Sequence, residues 1–155
     1  MDERKFQKNV VKRWRGNNHI IQVFNDKMAI GVPDTYICQS MPAWVEFKIV
    51  HLPIKPSTPV VIHISGAQIN WARTFGRADV PVFCLVGVES AGKYVGWTAA
   101  LMWDDIKKFS PAEVMSGHSK THFMKYITEG YPLNLEHIIR SSIRTNKPPK
   151  LELVK

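Results

Sequence analysis

Three residues in the stretch "GVPDTYICQSMPAWVEFKIV", residues 31–50, are of types that can act together: Asp34, Glu46 and Lys48. Two carboxylates brought side by side repel each other unless a cation lies between them or one holds a proton. Magnesium suits such a pair, because it takes one or two carboxylates and fills its remaining positions with water and phosphate oxygens. Hydrolysis of a phosphodiester draws on this combination: a metal to ready the water and neutralise charge on the phosphate, and a fixed cation beside them. In that chemistry Asp34 and Glu46 hold the ion. Lys48 orients or deprotonates the water, or stabilises the charge on phosphorus. The plain alternative is a surface strand with a Glu-x-Lys pair and an aspartate in a turn, and Glu-x-Lys by itself is common.

The elements that must position this trio are strands. In the segment 43–50, Ala43, Val45, Phe47 and Ile49 share one face, and Trp44, Glu46, Lys48 and Val50 share the other. One strand can therefore serve a core and a charged site at once. If 34–38 pairs with it as a hairpin, loop length sets the register. A four-residue loop, 39–42, turns Asp34 toward Phe47 on the core side. A three-residue loop, 39–41, pairs Cys38 with Pro42 and sets Asp34 opposite Glu46, with Cβ atoms about 4.5–5.5 Å apart. A β-bulge at Pro33-Asp34 reaches the same alignment from another register.

The remaining pattern predicts a helix over 3–15, with Phe6, Val10, Val11 and Trp14 on one face, and a strand over 19–24. A proline-rich loop follows His51. A helix is expected over 65–75, with Ser65 as N-cap and Gly76 as stop. A buried strand is expected over 80–88 and another over 92–98, after a turn at Ala91-Gly92. From Asp104 on the chain reads as helical pieces broken near Gly117 and Gly130-Tyr131-Pro132, with a tail after Thr145. The expected architecture is one α/β or α+β domain. Residues 1–100 form its core, 101–145 a helical extension and 146–155 a basic tail.

The chain has 155 residues, 21 Lys and Arg against 13 Asp and Glu, and a formal charge of +8. That balance favours a polyanionic partner, nucleic acid first. Basic residues crowd the N-terminus (Arg4, Lys5, Lys8, Lys12, Arg13, Arg15) and the C-terminus (Arg140, Arg144, Lys147, Lys150, Lys155). Such clusters grip phosphates without reading sequence. No apolar run is long enough to span a bilayer, and the charged start is unlike a secretory leader, so a cytoplasmic location is expected. Cys38 and Cys84 read as buried free thiols.

"GVPD", eleven intervening residues and then "EFK" on an apolar strand resemble the PD-(D/E)xK nuclease superfamily. With "SGAQINWARTFGRADVPVFCLV" added, residues 31–88 look closest to its virus-type replication–repair branch, VRR-NUC, related to Holliday-junction resolvases. The resemblance implies a restriction-endonuclease-like core, a mixed central sheet flanked by helices. It implies Asp34 and Glu46 as ligands to Mg²⁺, with Mn²⁺ able to substitute, and the Phe47 carbonyl as a further ligand. Lys48 and Gln68 become catalytic residues, and Glu3 is the acid of the first helix that would match a ligand there. It further implies a homodimer that cuts branched DNA in recombination, repair or phage DNA processing. Lys12, Arg13, Arg15, Arg73 and Arg77 are the candidates for DNA contact. A less structure-selective nuclease and a non-catalytic DNA-binding protein retaining the fold are the alternatives.

Other features weigh less. Ser65-x-x-Gln68 also reads as a capping box, in which Gln68 only serves its own helix. His118 and His122 have metal-ligand spacing but no evident third partner. The tryptophans, with Tyr36 and Tyr94, offer surfaces on which unpaired bases could stack, though core or dimer packing accounts for most of them. No glycine-rich phosphate loop and no GxSxG elbow occur.

Overall fold

The structure, a computed structural model, describes residues 1–16, 20–24, 32–38, 42–63, 65–75, 82–102, 119–141 and 143–144. Its elements run α1 (Glu3–Arg15), β1 (Ile20–Val23), β2 (Thr35–Cys38), β3 (Pro42–His51), α2 (Gly66–Phe75), β4 (Val82–Ser90) and β5 (Lys93–Met102). Short helices α3 (Lys120–Phe123) and α4 (Leu135–Ser141), a 3₁₀ turn (Met124–Tyr126) and a two-residue strand β6 (Ile143–Arg144) follow. The strands form one mixed sheet in the order β1-β2-β3-β4-β5-β6. β3 pairs antiparallel with β2 and parallel with β4, and the crossover between the parallel pair carries α2.

α1 begins where Asp2 caps it, Oδ1 accepting from the Lys5 N–H at 2.7 Å. Its apolar face, Phe6, Val10, Val11 and Trp14, is fully covered. It packs with α4 on one side of the sheet, over Ile37, Ala43, Val45, Phe47, Phe83 and Leu85. The Trp14 indole N–H finds the Pro132 carbonyl at 3.0 Å, so this large ring is buried without an orphaned donor. The opposite side holds an aliphatic cluster that includes Val50, Leu52, Ile62, Val82, Val86 and Val88, closed by Phe123. β4, central and buried on both faces, supplies residues to each side in alternation, which is why its sequence is a continuous apolar run.

Ala91 and Gly92, at φ 51° and 75°, make the tight two-residue turn between β4 and β5, both in the left-handed region that such a turn demands. The C-terminal part differs from the sequence expectation in one respect. It is not purely helical: β5 runs on to Met102, β6 adds beside it in parallel, and Trp97 exchanges hydrogen bonds with Thr128 at 2.9 and 2.8 Å. That approach explains Gly96. At φ 153°, a Cβ there would overlap the Thr128 carbonyl oxygen and come within 2.7 Å of the Ile127 side chain. Gly96→Ala is expected to destabilise the fold by about 3 kcal/mol, through backbone strain and overlap together, which urea titration would register. Cys84 is buried, whereas Cys38 is half-buried, so the expectation of two buried thiols holds for one. His118, Arg77 and residues 146–155 lie outside the described residues.

Candidate active site

The β2–β3 hairpin takes the three-residue register: Cys38 pairs with Pro42, Ile37 with Ala43, Tyr36 with Trp44 and Thr35 with Val45. Continued one step, this register would set Asp34 opposite Glu46 and Pro33 opposite Phe47. Asp34 itself has left the strand. Its Oδ2 accepts from the Phe47 N–H at 3.0 Å, taking over the ladder bond that the backbone no longer makes. The N–H and C=O of one strand residue point to the same side. The Phe47 carbonyl therefore also faces this gap, and Pro33, having no N–H, cannot donate to it. The ladder ends where the charged residues begin, and the proline of the Pro-Asp pair is what ends it.

This register puts Thr35 on the core side, fully buried opposite Val45. Its hydroxyl is satisfied from α1, the Gln7 amide donating to it at 2.9 Å. Gln7 was not among the residues the sequence singled out. Glu3 is exposed in the first turn of α1, and the α1 side chain that bonds to β2 is Gln7.

Glu46 is 5% exposed. Its Oε1 lies 3.5 Å from the Lys48 Nζ and accepts from the Gln68 side-chain amide. Its Oε2 is buried and has no hydrogen-bond partner among the described residues. Burial, then the neighbouring Asp34 charge, push the Glu46 carboxyl up to about 8, against the opposing pull of Lys48. Asp34 is raised too, by burial, with the Phe47 N–H and Lys48 working the other way. The ion pair with Lys48 is thus outweighed: near neutrality the two carboxylates retain a proton between them. Cys84, level with Glu46 on β4, is sealed in the core, and burial together with the Glu46 charge pushes its thiol well up, which makes it inert as a nucleophile.

Gln68 does both things that the sequence offered as alternatives. The Gln68 N–H donates to Ser65 Oγ at 3.2 Å, and Gln68 Oε1 accepts from the Ser65 N–H at 3.0 Å, a complete capping box. Because the amide oxygen is spoken for, the NH₂ end must face Glu46. α2 lies over β3 so that Gln68 meets Glu46 and, one turn on, Trp71 meets Trp44.

The basic candidates fall in different places. Lys12 and Arg15 join Arg4, Lys8 and Gln7 along a groove of about 680 Å³ beside α1, lined also by Val11 and by Val23 of β1. Gln7 ties this groove to Thr35, the chain neighbour of Asp34. Arg13 turns away: its guanidinium lies 4.0 Å from the centroid of the Tyr131 ring and its Nη1 donates to the Asn9 carbonyl. Arg73 belongs to α2, and its side chain lies outside the description. Among the described residues no group of three or more His, Cys, Asp or Glu side chains is set to share a metal, and no helix is long and apolar enough to cross a membrane. Comparison of the chain with protein-family models, with curated proteins and with solved structures finds no match.

Proposed function

We propose that the protein is a divalent-metal-dependent endonuclease acting on branched or otherwise structured DNA. The observation that carries this reading is the buried Glu46 Oε2, without a partner, beside a second carboxylate whose own burial raises its proton affinity. Burying such a pair is costly, and a cation is what relieves it. The donor set fits magnesium: two carboxylates and the Phe47 carbonyl, with water and phosphate oxygens completing the shell. Two carboxylates suffice for such an ion, so the lack of a third acid among the described residues is compatible with it.

Bound there, the ion would supply Lewis acidity and neutralise charge developing on the phosphate. The chain's own residues do the rest. Asp34 is held by the Phe47 N–H. Gln68 fixes one oxygen of Glu46, and the other, buried, has no hydrogen-bond partner among the described residues. Lys48 places a fixed positive charge beside the carboxylates, where it can orient a water or stabilise an oxyanion. The basic groove along α1 offers phosphate contacts without base readout. A homodimer would present two such sites to two strands.

The test is an incubation of the protein with four-way junctions, flaps, linear duplex and single strands, in magnesium or in EDTA. Magnesium-dependent cutting confined to branched forms supports the reading. Equal cutting of all forms points to the less selective nuclease, and tight binding without cleavage in magnesium or manganese to a non-catalytic binder. Affinity should also drop steeply with salt, with a log–log slope of about −3 to −4 if the four α1 cations of the groove each meet a phosphate. A flat response would remove α1 from the interface.

A further inference from the structure

Four aromatic rings continue the charged face, and each neighbours a residue of the site. The Phe24 N–H donates to the Asp34 carbonyl at 2.8 Å. Tyr36 is the next residue of β2 on the Asp34 side, Trp44 precedes Glu46 on the same face of β3, and Trp71 follows Gln68 by one turn of α2. Trp44 is the hub, with centroids 5.4 Å from Phe24, 5.1 Å from Tyr36 and 4.9 Å from Trp71. The contacts to Tyr36 and Trp71 are edge-to-face, at 64° and 72°, and that to Phe24 is tilted at 36°, so none of the three is a parallel stack.

None of the four is buried. Phe24 is 38% exposed, and Tyr36, Trp44 and Trp71 are half-covered. The core on this side is aliphatic, and Trp44 and Trp71 sit at its margin. Large rings left partly open beside a carboxylate pair that a bridging cation would join to a phosphate, on a chain of charge +8, fit a ligand that is both anionic and aromatic.

We propose that this shelf stacks an unpaired base next to the phosphate that a divalent cation on Asp34 and Glu46 would hold beside Lys48. The proposal rests on the nuclease reading and narrows it: the substrate class becomes DNA with unpaired nucleotides at the cut, such as a flap, a gap or an opened branch point. In a continuous duplex the base faces are already stacked, and exposing one costs pairing and stacking energy. In an unpaired arm the faces are free, and stacking on aromatic side chains is sequence-tolerant.

The experiment has two arms. In the first, a flap carrying 2-aminopurine in its unpaired arm is titrated with the protein in calcium. Quenching of the probe by the wild type, and its loss in Phe24→Ala and Tyr36→Leu, is the expected result; absence of quenching by the folded wild type overturns the shelf. In the second, cleavage of flap and duplex is compared in magnesium. Both variants, and an abasic site in the arm presented to the wild type, should lower the flap-to-duplex preference about tenfold. Should an abasic arm be cut within twofold of the intact one, the proposal fails even if the variants do not fold. Failure of the wild type to cut any DNA in magnesium or manganese would sink the nuclease reading alone, since the quenching arm still decides whether the shelf takes a base.

Discussion

Asp34→Asn and Lys48→Ala are each expected to reduce magnesium-dependent cleavage of branched DNA by about 10²–10³-fold while the protein remains folded. Asparagine is isosteric with aspartate, and its oxygen can still accept from the Phe47 N–H, so the bond that pins the end of β2 survives. What disappears is the negative charge, and with it the pairing with a divalent ion. The Lys48 side chain is only 12% exposed but lies on the strand face away from α1, so its truncation removes a charge without opening the core beneath α1. Initial rates measured at saturating magnesium, with melting curves for each variant, check this. A folded Asp34→Asn variant that cuts within threefold of the wild type would overturn the two-carboxylate assignment.

The second large effect concerns stability without metal. Glu46 has an ordinary value of 4.5 and stands near 8 in the fold. Between these limits the native protein keeps a proton that the unfolded chain releases. Stability of the metal-free protein should therefore fall as pH rises from about 4.5 to about 8, the slope being set by the extra proton bound to the native state. Glu46→Gln removes this titration and keeps an acceptor for Gln68 and Lys48. In EDTA at pH 8.5 the variant should be more stable than the wild type by about 2–3 kcal/mol, less than the full shift implies because Asp34 shares the proton. At pH 4.5 the two should be nearly equal. Magnesium should raise the melting temperature of the wild type at pH 8.5 and leave that of the variant unchanged. Parallel stability curves for wild type and variant across this range would refute the buried pair.

Much of this arrangement is legible in the residue pattern, because it depends on short-range periodicity. Alternation along 43–50 assigns the two faces of β3 without reference to any neighbour. The spacing of Phe6, Val10, Val11 and Trp14 gives α1 its buried side. The hairpin register is a harder problem, since three- and four-residue loops both satisfy the local pattern. What separates them is long-range. The four-residue register would press Asp34 into the core beneath α1, whereas the observed one puts Thr35 there, and a hydroxyl is far cheaper to bury than a carboxylate when Gln7 can bond it. Gln7 lies 28 positions from Thr35, and nothing local announces the pairing. The same holds for β6, two residues long, and for the bridge between Trp97 and Thr128. It holds also for the aromatic shelf, whose rings come from four separate elements or their margins and meet only when the sheet is assembled.

Gln68 constrains its own replacement. At the third position of an ordinary capping box, glutamate and glutamine are interchangeable, since either offers an oxygen to the backbone of the cap residue. Here the far end of the same side chain must also donate to a carboxylate. A glutamate would keep the helix start and place a third negative oxygen against Glu46, so a substitution that looks conservative on a helix surface becomes a change in the charge state of the neighbouring strand. Drift at this position is narrowed to one amide by two unrelated demands, and a chain that reads glutamate there has given up one of them.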